Sequence, residues 1–238
     1  MAALIISILL AALPSGRDAA RRVESELARD ASAEKISVVI KGGATSGGMW
    51  SAESVEATLS GWETDSGRAT VAKIVYKSPR AALESGAWKL ASCEKTTVEI
   101  SFNDEDLRTA AALRAGGAQL TSLEFSGGSK ILIRGTYQIY MGIPVAFSVA
   151  GTPAVRKGAE IVLAGPLEIK AAGARLGRWA DGYVLRIVNP LADIDDWDVS
   201  SALLRSGASD AGGWMSMSLK SANIKNGLLV ISGELKKR

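Results

Sequence analysis

The sequence predicts an α+β fold, a long curved antiparallel sheet wrapped around one or two amphipathic helices and drawn out into an elongated roll. Three observations carry that reading. Apolar residues alternate with polar or small ones in run after run between Ile36 and Leu235. The runs are joined by short glycine-containing turns, one of them Asn-Gly, which makes neighbouring strands antiparallel. Two stretches, 16–34 and 174–187, repeat their apolar residues at helical spacing instead.

The chain opens MAALIISILLAALPSGRDAA, and nothing from Ala2 to Leu13 is polar except Ser7. That run is about half the ~20 residues of a spanning helix. It has the length of a secretory-signal core, although no Lys or Arg precedes it. Residues 1–20 are expected to be a signal-like or membrane-anchoring segment, a buried helix being the other reading, and 21–238 a single domain. In 16–34, Ala19, Val23 and Leu27 recur every four residues, with Arg21, Arg22, Glu24, Glu26 and Arg29 on the other faces. This is an amphipathic helix. Its polar side is either simply solvated or, through Arg17, Arg21 and Arg22, drawn to anionic lipid headgroups.

Strands begin at ISVVI (36–40), and Gly42, Gly43, Gly47 and Gly48 interrupt them. Val55, Ala57 and Leu59 alternate with Glu56 and Thr58, TVAKIVYK (70–77) is a further strand, and Val98, Ile100 and Phe102 alternate with Glu99 and Ser101. Asn103 followed by Asp104, Glu105 and Asp106 is a side-chain cap with an acidic first turn. The helix it starts carries Leu107, Ala110, Ala111 and Leu113 and ends at Gly116-Gly117. Leu123 and Phe125 precede a Gly-Gly-Ser turn. Ile131, Ile133, Tyr137, Ile139 and Met141 share one parity, and Ile143, Val145, Phe147 and Val149 alternate with Pro144, Ala146, Ser148 and Ala150. After a Lys157-Gly158 turn comes a strand in 160–170, so this middle region reads as a meander.

The helix expected over 174–187 places Leu176, Trp179, Ala180, Tyr183, Val184 and Ile187 on one stripe and stops at Asn189-Pro190. Residues 191–213 are loop-rich. The strand WMSMSLK (214–220), the Asn226-Gly227 turn and the strand 228–235 form a closing hairpin.

Composition limits the chemistry. The 238 residues are 47% hydrophobic and include no histidine and one cysteine, Cys93, which removes Ser-His and Cys-His pairs, His-ligated metals and intrachain disulfides. With 28 Lys+Arg against 25 Asp+Glu, and no dense basic cluster, nucleic acid is not an expected partner. The acidic run DIDDWD (193–198) lacks the glycine and distal glutamate of a calcium loop and reads as solvated carboxylates. Glu99, Asp104, Glu105, Asp106 and Asp181 are the acids a two-carboxylate hydrolase would draw on, but nothing sets one apart. Cys93 reads as a half-buried structural thiol. The six tryptophans either plug the ends of a curved sheet or mark a boundary with membrane or ligand.

A sheet curled about a helix either packs solid or leaves an apolar groove or tunnel suited to acyl chains, each buried CH₂ contributing about 0.8 kcal/mol. The side chains expected to line such a space are Val98, Ile100, Phe102, Leu107, Ile131, Ile133, Tyr137 and Ile139. Ile143, Val145, Phe147, Trp179, Tyr183, Val184, Met215 and Met217 complete the set. No catalytic residue, metal or cofactor is expected.

Three passages resemble the LmeA-like phospholipid-binding family of the tubular lipid-binding (TULIP) superfamily. They are the apolar start leading through a charged helix to ISVVI, the stretch TTVEISFNDEDLRTAAAL (96–113), and the closing SLKSANIKNGLLVISGEL (218–235). They occur in the family's order and cover a minority of the chain. The resemblance implies an elongated sheet wrapped about a long helix, export to the periplasm or cell envelope, contact with the membrane surface, and non-enzymatic binding or movement of phospholipid or another acyl-chain lipid. The segment KGGATSGGMWSAES (41–54) replaces the family's proline-containing segment, and the loop 195–213 has no counterpart in it. The alternative is an envelope interaction module with a packed core.

Overall fold

The structure, a computed structural model, describes residues 20, 21, 23–25, 27, 28, 31–64, 67–84, 87–138, 143–175, 178–194 and 215–237. Residues 1–19 and 195–214 lie outside the described residues, as do Ile139, Met141 and Leu176. After a helical segment within 20–28 come β1 (Lys35–Lys41), β2 (Ala44–Ser46), β3 (Met49–Ser51), β4 (Ser54–Thr64), β5 (Gly67–Lys77), β6 (Arg80–Glu84), β7 (Ala87–Ser92) and β8 (Lys95–Phe102). Helix α1 (Asp104–Ala112) leads into β9 (Ala118–Ser126), β10 (Lys130–Gln138), β11 (Pro144–Arg156), β12 (Glu160–Ala171) and β13 (Ala174–Arg175). Helix α2 (Arg178–Val188), β14 (Ala192–Asp193), β15 (Met215–Lys225) and β16 (Leu228–Lys237) complete the chain.

The fold is dominated by antiparallel sheet, part of it curled into a half-barrel. The first sheet runs β1-β4-β5-β8-β16-β15, and the second runs β13-β12-β11-β10-β9 with β14 beside β12. A four-stranded sheet, β2-β3-β6-β7, joins two hairpins inserted between strands of the first sheet.

Period-two patterning decides which face is inward. On the first sheet Val38, Val55, Leu59, Ile74, Val98, Ile100, Leu229 and Ile231 are buried, and on the second Leu123, Ile131, Ile133, Phe147, Val149 and Ile169 are. Both faces join one contiguous apolar core. Val23 and Leu27 enter it from the N-terminal helical segment, so the stripe legible in the sequence is packed against protein. At Gly61 the inward parity of β4 switches, from Val55, Ala57 and Leu59 to Trp62, and β5 switches with it, from Ala72 to Ala69. Gly61 has φ +59, and a Cβ there would stand 2.6 Å from the Glu34 carboxyl carbon, both of which favour glycine at the position.

Several sheet edges are closed by specific groups, as unpaired edges invite association. The Glu24 carboxylate accepts the Val38 N–H of β1 at 2.8 Å. On β12, the Asn189 amide accepts the Leu163 N–H at 2.9 Å and donates to the Leu163 carbonyl at 3.2 Å. Leu219 N–H of β15 donates to the Gly158 carbonyl at 2.7 Å and ties the first sheet to the β11–β12 turn.

Helix α1 starts as its sequence dictates. Asn103 Oδ1 accepts the Asp106 N–H at 2.7 Å, and three acids occupy the first turn. Leu107, Ala110 and Ala111 are buried, while Leu113, at the C-cap, is 66% exposed rather than part of the stripe. Thr70 Oγ1 of β5 donates to Asp106 Oδ2 at 2.7 Å and accepts the Asn103 N–H at 2.8 Å, which locks the helix start onto the first sheet. Asn103→Ala is expected to cost about 1 kcal/mol in urea unfolding, and Asn103→Asp much less. Equal losses for both would mean that the cap bond contributes nothing.

Two expectations are corrected. The segment 41–54 is not a mere break, for it folds into the β2–β3 hairpin. Gly47 (φ +57) and Gly48 (φ +74) adopt the left-handed pair that a two-residue hairpin turn requires. The helix expected from Ala174 begins at Arg178, because Ala174 and Arg175 pair with Ala171 and Lys170 as β13. The Asn226-Gly227 turn forms as expected, with φ +51 and +73.

Candidate functional site

The interior between the two sheets is where the sequence places its candidate residues. Val98, Ile100, Phe102 and Leu107 lie on β8 and α1, Ile131, Ile133 and Phe147 on β10 and β11, and Val184 on α2, all within the one core. Tyr137 and Met217 are half-buried and packed against it, and Val145 is half-buried. Ile143, expected among the lining residues, is instead 56% exposed, one residue before the start of β11. Ile139 and the side chains of Trp179, Tyr183 and Met215 lie outside the described residues.

A recess of about 430 Å³ opens where the inserted hairpins meet the first sheet, lined by Gly42, Ser46, Met49, Ser51, Ala52, Glu53, Ser78 and Arg80. Main-chain bonds frame it: Ala52 N–H donates to the Pro79 carbonyl at 3.2 Å and Ser78 N–H to the Glu53 carbonyl at 2.8 Å. Trp50 is buried beside it, 3.7 Å from where a Gly43 Cβ would stand.

Tyr76, two residues before Ser78, is fully buried and pairs with Val55 on β4 and Thr96 on β8. Its hydroxyl has no hydrogen-bond partner. Burial, with a smaller contribution from Cys93, pushes its ionisation far above the ordinary tyrosine range. The polar groups around it are already engaged. Cys93, half-buried as expected, has its Sγ 3.1 Å from the Lys77 carbonyl and 3.2 Å from the Lys95 carbonyl, two acceptors for its one hydrogen, and Thr96 Oγ1 donates to that sulfur at 3.6 Å. Sequence reading passed over Tyr76. The available signal was a polar-tipped aromatic on the same parity as Ala72 and Ile74.

The polar face of the first sheet carries a second groove, about 330 Å³, bordered by Lys73, Lys95, Lys220, Glu99, Ser232 and Glu234 among others. A Cβ on Gly233 of β16 would approach the Ser218 carbonyl oxygen to 2.7 Å, and the neighbouring register shift in β15 bends the sheet there. Lys73 pairs with Glu56 at 2.8 Å and Lys95 with Glu234 at 3.0 Å.

The acids considered for hydrolysis are dispersed. Asp106 is buried and bound to Thr70 and to Arg68 (3.3 Å), whose other arm holds Glu34 at 2.5 Å. Asp104 and Glu105 are exposed at the α1 start, Glu99 is exposed on the outer sheet face, and the Asp181 side chain lies outside the described residues. Among the described residues no group of three or more Cys, Asp or Glu is placed to hold a metal ion. Of DIDDWD only Asp193 and Ile194 are described. Among the described residues no helix is long and apolar enough to cross a membrane.

Three ion-paired glutamates give the fold an acid-sensitive margin. Glu94 is held below the ordinary 4.5 by hydrogen bonds from Lys77 and Ser78, Glu160 by Arg156 and Lys157, and Glu168 by Lys130. A carboxylate with a depressed folded value contributes stability that is present above its unfolded value and lost as pH falls through the folded one. Urea midpoints are therefore expected to hold steady at higher pH and decline from about pH 4.5 downward. Changing all three glutamates to Gln should flatten that decline, and an unchanged acid slope would refute the assignment.

No protein-family model, no curated protein and no solved structure matches the chain.

Proposed function

We propose that this chain is a non-enzymatic lipid-binding protein of the bacterial cell envelope, which takes an acyl chain of a phospholipid or related lipid between its curved sheets. The observation that carries this reading is the single apolar interior shared by the inward faces of both sheets, with helices contributing to it and a recess at the hairpin end. In this reading the sheets form an elongated roll about the helices, as the resemblance to the LmeA-like family implies. The apolar alternation builds the lining in this reading, and small residues, Ala57, Ala72, Ala110, Ala111 and Ala222, stand among the larger core side chains. Residues 1–20 direct the chain to, or tether it at, the extracytoplasmic face of a membrane. Each methylene moved out of water adds about 0.8 kcal/mol, enough for one chain to hold at micromolar affinity after the cost of association.

The test is native mass spectrometry after mild extraction, with exchange of a fluorescent phospholipid as a second readout. Co-purified mass equal to lipid, displaced by added phospholipid, is expected. A clean apoprotein mass together with no exchange overturns the reading. A second reading, an interaction module with a packed core, draws on the complete exclusion of Ile100, Phe102, Ile131 and Ile133 from solvent. An experimental structure with no continuous apolar cavity would favour it.

A further inference from the structure

We propose that the Tyr76 hydroxyl is a ligand-binding group, a hydrogen-bond donor to the ester carbonyl of a bound acyl chain. This deepens the lipid-binding reading above and rests on it. Among the described residues Tyr76 Oη is the one fully buried side-chain polar atom left without a partner. Buried polar groups are nearly always satisfied, since an orphan costs free energy that a phenylalanine at the same place would not. Its polar neighbours are engaged elsewhere: the Thr96 hydroxyl donates to Cys93 Sγ, and the one thiol hydrogen has the Lys77 and Lys95 carbonyls within reach.

A phenol in this setting is selective for one kind of guest. It offers a single O–H donor at the end of a rigid ring, surrounded by Val55 and the apolar core. A pure hydrocarbon leaves that donor unpaired. A charged headgroup would be stripped of water there with no cation to meet it, because the nearby Lys77 points its ammonium to Glu94 on the surface. An ester carbonyl is neutral, accepts one bond and is joined directly to the chain that fills the apolar space. Tyr76 is also the next-to-last residue of β5, and Ser78, just past the strand's end, lines the hairpin recess, which puts the donor near the end of the sheet through which a chain would enter.

Tyr76→Phe separates this role from a structural one. Thermal unfolding of the lipid-free protein and competition binding would be measured with two probes, a phosphatidylcholine with ester-linked chains and its ether-linked analogue of equal chain length. The variant is expected to unfold at the same temperature as the wild type or higher, to lose about 3- to 10-fold in affinity for the ester lipid, and to keep its affinity for the ether lipid. A lower unfolding temperature would mean that the hydroxyl is already satisfied by water in the free protein, which overturns the proposal. Equal weakening toward both lipids, or none toward the ester, overturns it too. Wild-type protein that binds neither lipid defeats the lipid reading itself, whereas wild-type binding that Tyr76→Phe leaves unaltered defeats only the assignment of Tyr76.

Discussion

Ile133→Asp is expected to abolish cooperative unfolding at ambient temperature. Ile133 lies in β10, fully buried, with Leu123 of β9 and Val149 of β11 directly opposite on either side. The substitution removes a side chain whose burial contributes about 1.5–3 kcal/mol. It also installs a carboxyl group between the apolar side chains of Leu123 and Val149, at a further cost of several kcal/mol whether the group stays charged or takes up a proton. A domain of this kind has about 5–15 kcal/mol of stability in all. Phe147→Asp, one strand over, should act alike. Ile133→Val is the matched control, with an expected loss of about 0.5–1.5 kcal/mol. Ser148→Asp on the opposite face of β11, beside Arg134, should stay within about 0.5 kcal/mol of the parent. Denaturation followed by tryptophan fluorescence reports all four. A wild-type transition in Ile133→Asp would place the core on the other face of the second sheet and remove the interior in which a lipid is proposed to sit.

That inward face was legible because a strand has only two sides. Once Ile131 and Ile133 were seen to share one parity, and Phe147 and Val149 to alternate with small residues, the direction of each set followed. Asn103 and the Asn226-Gly227 turn were legible for a similar reason, in that each acts through bonds to residues within four positions of itself. Strand order was not. β16 pairs with β8 although more than a hundred residues separate them in sequence, and no local pattern specifies that Ile231 should lie opposite Ile100. The small hairpin sheet was hidden as well. Its strands β2 and β3 are too short to show a period, and only the Gly47-Gly48 pair marked the turn. The site followed the same division. Parity identified residues of the apolar core, whereas the isolation of the Tyr76 hydroxyl depends on how Cys93 and Thr96, brought in by β8 and the turn before it, spend their own hydrogen bonds.

Gly135→Ala should destabilise the fold by about 2–3 kcal/mol, the cost of overpacking a site that cannot relax. Gly135 sits in β10 between Leu120 of β9 and Phe147 of β11, where the β9–β10 register shifts. A Cβ there would come within 2.5 Å of the Gln119 carbonyl oxygen and 2.9 Å of Phe147 Cζ. The ring can turn aside, but the carbonyl belongs to a strand held in the sheet, so the backbone itself must move. The φ of Gly135 is not in the left-handed region, so the expected loss comes from space, not from torsional strain. Alanine also restricts the unfolded chain, which offsets about 0.4–1 kcal/mol of the loss. Gly135→Ala combined with Phe147→Leu divides the two contacts. Trimming the ring relieves one clash and leaves the other, so the pair should couple without restoring wild-type stability. Gly182→Ala supplies the opposite sign. Gly182 is exposed within α2, nothing lies within 4 Å of its added Cβ, and alanine should stabilise that helix by about 0.5–1 kcal/mol. If Gly135→Ala behaves like Gly182→Ala, then the Gln119 carbonyl does not lie against the β10 backbone at Gly135, and the second sheet has more room there than these contacts allow.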